Sequence, residues 1–206
     1  MPGPGMLTLM VLPAIVGLII VARPNVAVSL RKVRGVWLLA LAATLQLVQN
    51  NGWWPKEFPE TTERRLYAFL VVGVAVGFCW LNRSLRSNKV GYWALLLIPL
   101  GTLSNAIPIA ALGAMPYSLS GAHLAGYTNE ELATDTSGYV QLGDVSPLWT
   151  PLADLLPIPV LMKVISIGDV FLFAGLVLLV IACSMPNTES TLESVADTDG
   201  ATRPSV

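Results

Sequence analysis

Charge is what this sequence has least of. Only 12% of its 206 residues are Asp, Glu, Lys or Arg, against 54% apolar, where an ordinary soluble domain is about 25% charged. So few charges cannot coat a soluble globule of this length, and lipid is the solvent that removes the need for them. The 12 basic and 13 acidic residues leave a net charge of −1. That excludes a basic field for nucleic acid, which is not expected as a partner. Cysteine is almost missing as well. Cys79 and Cys183 form no CxxC pair, which removes thiol-redox and zinc-ribbon readings. Both fall at expected cytoplasmic helix ends, where a disulfide would not persist, and they read as small buried apolar residues. His123 is the single histidine. A lone histidine among scattered aspartates has no metal-ligand spacing, so neither a metal nor a cofactor is expected. G-x-S-x-G, P-loop, HExxH and G-x-G-x-x-G patterns are all missing, which argues against the common enzyme classes.

Long apolar runs are what the sequence has in quantity. Crossing a hydrocarbon core of ~30 Å takes about 20 apolar residues in a helix. Five stretches meet or approach that length: Met6 to Ala22, Val36 to Trp54, Leu66 to Leu81, Val90 to Leu112, and one from near Ile165 to Cys183. The first has no Lys or Arg before it and no small-x-small cleavage site ahead of Arg23 and Pro24. It is therefore expected to be a retained helix rather than a signal peptide. No internal repeat of the transporter kind is visible.

The connecting segments orient these helices. Arg23, Arg31, Lys32 and Arg34 follow the first stretch without an acid, and Arg83, Arg86 and Lys89 follow the third in the same way. By the positive-inside rule both segments are cytoplasmic. The segment after the second stretch mixes Lys56, Arg64 and Arg65 with Glu57, Glu60 and Glu63. The long segment at 113–164 holds Glu130, Glu131, Asp135, Asp144 and Asp154 with Lys163 as its only basic residue. Both are placed outside. Trp53, Trp54 and Tyr67 then fall at outer helix ends, and Trp37, Trp80, Tyr92 and Trp93 at cytoplasmic ends, where amphipathic rings favour the headgroup level. The expected fold is an all-α polytopic membrane bundle of about five transmembrane helices over 1–183, with the N-terminus outside. An acidic, Ser/Thr-rich tail at 184–206 cannot bury a core and is expected to be disordered in the cytoplasm.

Polar side chains at membrane depth are costly, so their positions carry information. The fourth stretch contains Thr102, Ser104 and Asn105 between Pro99 and Pro108, with Gly101 and Ser104 offering a small surface for close helix contact. Asn105 requires a partner in the bundle. Gln46 and Gln49 lie three apart on one face of the second helix and are expected to meet it. The last apolar run, Val170 to Cys183, is too short to span alone, so its helix must start earlier and include Asp169. Ser166-Ile167-Gly168-Asp169 has the S-x-x-D spacing of a capping box. There Ser166 caps the helix, and Asp169 returns to the Ser166 N–H at the positive end of the dipole. The alternative for Asp169 is an ionisable residue that binds a proton or a cation. Leu152 to Pro157 reads as a short amphipathic piece on the outer surface. The segment at 113–164 should fold back onto the outer face, with a mobile tip near 129–138.

These motifs occur together in a recognisable order: Asn105 with Ile107-Pro108, Gly113-Ala114-Met115-Pro116, Leu152-Ala153-Asp154-Leu155-Leu156-Pro157, and Ser166-Ile167-Gly168-Asp169. Over about 95–183 the chain resembles an uncharacterised family of small bacterial multi-pass membrane proteins. It departs where an Asn-Gly-Gly turn usually precedes Met-Pro. The resemblance implies fold and membrane location, and no activity. The leading expectation is a non-enzymatic protein of the cell membrane, a subunit or assembly partner that meets the lipid bilayer and another membrane protein or a second copy of itself. One alternative is a small transporter or channel using Asn105 and Asp169. Another is an enzyme acting on a lipid-linked substrate at the outer face, with Asp154, Asp169 and His123 as acid-base groups.

Overall fold

The structure is a computed structural model, and it describes residues 33–50, 59–134 and 138–184. The expected first helix and the acidic tail beyond 184 lie outside the described residues. Among the described residues, four long helices carry the fold: α1 (Val36–Asn50), α2 (Glu60–Leu81), α3 (Lys89–Leu112) and, last of these, α6 (Ile167–Ser184). α2 and α3 are each long and apolar enough to cross a membrane, while the apolar parts of α1 and α6 are shorter.

α2 begins six residues ahead of the expected Leu66, because Glu60 and Glu63 occupy its first turn and suit the positive end of the helix dipole. A 3-10 turn (Arg83–Ser87) links it to α3, whose first N–H groups are capped by the Asn88 side chain, 2.9 Å from the Val90 nitrogen. Asn82 fixes this corner. Its buried amide accepts from the Arg34 nitrogen at 2.8 Å and donates to the Arg34 and Phe78 carbonyls at 2.8 and 2.9 Å. The chain entering α1 is thereby tied to the end of α2. α3 runs unbroken through Pro99 and Pro108 and ends on Gly113 in the left-handed conformation. Arg64 and Arg65 donate to the carbonyls of Gly113 and Ala111, which a helix end leaves without partners.

α3 and α6 pack nearly backbone to backbone. A Cβ on Gly101 would strike the Gly168 carbonyl and come within 2.6 Å of the Leu172 nitrogen, and one on Gly175 would come within 2.9 Å of the Ile98 nitrogen. Glycine is needed at these crossings because nothing larger fits. Phe78, Ala94, Leu95, Ile98, Leu179 and Cys183 form the buried core between α2, α3 and α6. Cys79 and Cys183 are free and buried.

The segment between α3 and α6 is a folded cap, which modifies the all-α expectation. It contains β1 (Met115–Tyr117), α4 (Leu119–Ala125), α5 (Asn129–Thr134), β2 (Tyr139–Gln141), short 3-10 turns, β3 (Leu156–Ile158) and β4 (Lys163–Ile165). β1 pairs in parallel with β2, and β3 pairs antiparallel with β4. The stretch expected to be a mobile tip begins as α5, and its residues 135–137 lie outside the described set. The stretch at 152–157, expected to be one short amphipathic piece, is divided between two elements. A 3-10 turn ends at Leu152, Ala153 and Asp154 are buried, and Leu156 opens a strand and is exposed. The chain is held extended there because the Asp154 nitrogen donates to the Pro116 carbonyl and its carbonyl accepts from the Ser118 nitrogen, each at 2.9 Å.

Candidate functional site

The start of α6 meets the second half of α3 in a closed set of hydrogen bonds. Ser166 is fully buried. Its hydroxyl accepts from the Asp169 nitrogen at 3.0 Å, while the Ser166 nitrogen donates to Asp169 Oδ2 at 2.9 Å. This reciprocal pair is the capping box expected from the S-x-x-D spacing. The Ser166 hydroxyl also lies 2.7 Å from Asn105 Oδ1 and 3.0 Å from Asp169 Oδ2. One hydroxyl proton faces two acceptors and is shared between them. Asn105 Nδ2 completes the ring by donating to Asp169 Oδ1 at 2.7 Å. The Asp169 carboxylate therefore receives three donors, and both heavy atoms of the Asn105 amide are engaged.

Gly168 makes the ring possible. A Cβ at that position would fall on the Asn105 amide oxygen. Each defined letter of Ser166-x-Gly168-Asp169 thus contributes something physical. Ser166 supplies the hydroxyl and the cap, Gly168 the space, and Asp169 the carboxylate. The expected clamp from Gln46 and Gln49 to Asn105 is not formed. Gln46 Oε1 instead accepts from the Tyr67 hydroxyl. Tyr67 is buried against the bundle, because α2 starts at Glu60 and carries it two turns into the helix. Nothing in the apolar pattern signalled that placement.

Asp154 lies close to this ring in electrostatic terms. It is only 7% exposed, and burial pushes its carboxyl well above the usual carboxylate range. The charge of Asp169 pushes the same way, and Lys163 opposes both. Half-buried Lys163 is lowered by its own burial and raised by the two aspartates. Asp154, Asp169 and Lys163 are thus one electrostatic unit where β4 runs into α6. Lys163, noted from sequence only as the basic residue of the loop, is the member that sequence reasoning missed.

His123 stands apart. It is exposed on α4, its Nδ1 pairs with the Tyr127 carbonyl at 3.0 Å, and among the described residues it bonds to neither aspartate. No group of three or more His, Cys, Asp or Glu able to hold a metal occurs among the described residues.

A family model described as a family of unknown function (DUF5317) matches residues 30–181, which contain the whole ring, Asp154 and Lys163. No curated protein and no solved structure matches.

Proposed function

The chain belongs to this family of unknown function, and we propose that it is a multi-pass protein of the cell membrane that works by association, as a subunit or assembly partner, rather than by catalysis. The observation that carries the reading is the saturation of the Asn105–Ser166–Asp169 ring. The residues with most chemistry at membrane depth spend their donors and acceptors on one another. Such a ring locks two helices and offers little to a substrate. The membrane part rests on the surface of the helices. Only 22% of the apolar window of α2 and 33% of that of α3 are buried, whereas a core helix of a soluble protein is mostly covered. Phe69 at 68% exposure, with Leu100, Leu103, Ile107 and Phe173, presents the apolar surface that lipid would solvate.

Two measurements test this. A reporter active only outside the cell should be positive when fused after Glu60 or Asn129 and silent after Arg34, Ser87 or Pro186, and activity at Arg34 would overturn the orientation. The mass of the chain extracted in mild detergent should exceed that of one copy. A monomer at every concentration would remove the association reading.

The buried Asp154 beside Asp169 and Lys163 favours one second reading, a proton- or cation-coupled transporter. In proteoliposomes it requires a proton-coupled flux that Asp169→Asn abolishes while the protein stays folded.

A further inference from the structure

Where α2 ends and α3 begins, the packing opens into a groove whose two halves differ in chemistry. One half, about 180 Å³, is walled by Val76, Cys79, Trp80, Leu95 and Pro99, with Arg86 at its edge. The other, about 200 Å³, brings in Tyr92 and Leu96 and shares Arg86 and Leu95 with the first. The trough is apolar, and the mouth is basic and aromatic.

Local geometry concentrates positive charge at that mouth. The turn Arg83–Ser87 is 3-10, and with three residues per turn Arg83 and Arg86 fall on one edge. The Arg83 guanidinium sits over the Trp80 ring, 5.0 Å from its centroid, so a second cation is held against a wall of the groove. Lys89 follows at the start of α3, and no acid occurs between Asn82 and Lys89. The N-terminal end of α3 points its partial positive charge to the same place.

An apolar trough joined to a basic mouth fits an amphiphile with an anionic head, and basic pockets between helices at the cytoplasmic face are where such lipids bind. We propose that this groove binds one anionic phospholipid. Its phosphate meets Arg86, with Arg83 and Lys89 adding positive charge beside the mouth, and the upper part of one acyl chain lies against Val76, Leu95 and Pro99. Free phosphate would leave the trough unused, so the lipid is the occupant. The inference rests on the membrane reading above.

Native mass spectrometry of the full chain, freed from detergent with added lipid, tests it. Wild type should retain one dioleoyl phosphatidylglycerol at least about fivefold better than dioleoyl phosphatidylcholine, the scale expected of a basic contact near an anionic surface. Arg86→Gln should erase that preference with an unchanged melting midpoint, and Arg86→Lys should keep most of it. Val76→Trp, which fills the trough, should weaken both lipids. Equal retention of the two lipids by wild type, or full preference in Arg86→Gln, overturns the proposal. Displacement of the lipid by millimolar inorganic phosphate also overturns it, because the site would then read phosphate alone. A fluorophore on a Phe69→Cys variant in brominated-lipid vesicles separates the two levels of failure. If it is not quenched, the membrane reading falls and the lipid site with it. If it is quenched but wild type shows no lipid preference, only the lipid site falls.

Discussion

At the scale of single residues, the Asn105 amide joins α3 to α6 through partners 61 and 64 positions away in sequence. Asp169→Asn should be tolerated. If the Asn105 amide turns over, Ser166 donates to the new amide oxygen and accepts from Asn105, so every polar atom keeps a partner. Asp169→Leu has no such solution. It loses a cap, about 0.5–2 kcal/mol, and leaves buried donors unsatisfied at about 1–3 kcal/mol each. Denaturant titration in detergent should rank wild type near Asn and well above Leu. Asp154 makes a pH prediction. Its folded carboxyl is raised by burial and by Asp169, so the folded state binds a proton that the unfolded state has released. Stability must then fall as pH rises from the ordinary aspartate value of 3.8 toward the raised one. Melting midpoints between about pH 4 and about pH 8 should decline in wild type and decline less in Asp154→Asn, which should also melt higher at neutral pH. Identical slopes would show that Asp154 is ionised without cost.

At the scale of elements, glycines decide how closely helices approach, and they are not equivalent. Gly168 faces the Asn105 amide and Gly101 faces the Gly168 carbonyl, whereas a Cβ on Gly73 meets nothing within 4 Å. Gly168→Ala and Gly101→Ala should each lower stability by about 1–3 kcal/mol through overpacking. Gly73→Ala should be neutral or gain up to about 1 kcal/mol from helix propensity. Thermal unfolding of the three variants side by side checks the order, and a harmless Gly168→Ala would contradict the ring geometry. The capping box was legible because its partners lie three residues apart. The burial of Tyr67 was not, since it depends on where α2 starts, and acidic first-turn residues resemble an ordinary polar loop until the helix is seen.

At the scale of the whole molecule, the lipid-facing and water-facing surfaces should separate cleanly. Probes on cysteines placed at Phe69, Leu103 and Phe173 should be shielded from an aqueous maleimide. Probes at Leu148 and Val160, exposed on the cap, should react from outside the cell. Rapid labelling at Leu103 from the aqueous phase would sink the membrane-spanning arrangement. The cap is the part least legible in advance. Its strands are three residues each, too short for an alternating pattern, and β1 finds β2 more than 20 residues later.

Among the described residues, the sequence by itself determined where the apolar stretches of α2, α3 and α6 lie, and the Ser166–Asp169 cap, because each follows from neighbours in the chain. Only the tertiary structure decided that Asn105 closes on Ser166 and Asp169 rather than on Gln46, and that Asp154 is buried beside Lys163. The Asn105 contacts join residues 61 and 64 positions apart, and the burial of Asp154 depends on how the whole cap folds. Composition can state that a buried amide needs a partner, but which of several polar groups arrives first within 3 Å is settled by how α3 and α6 cross at Gly101 and Gly168.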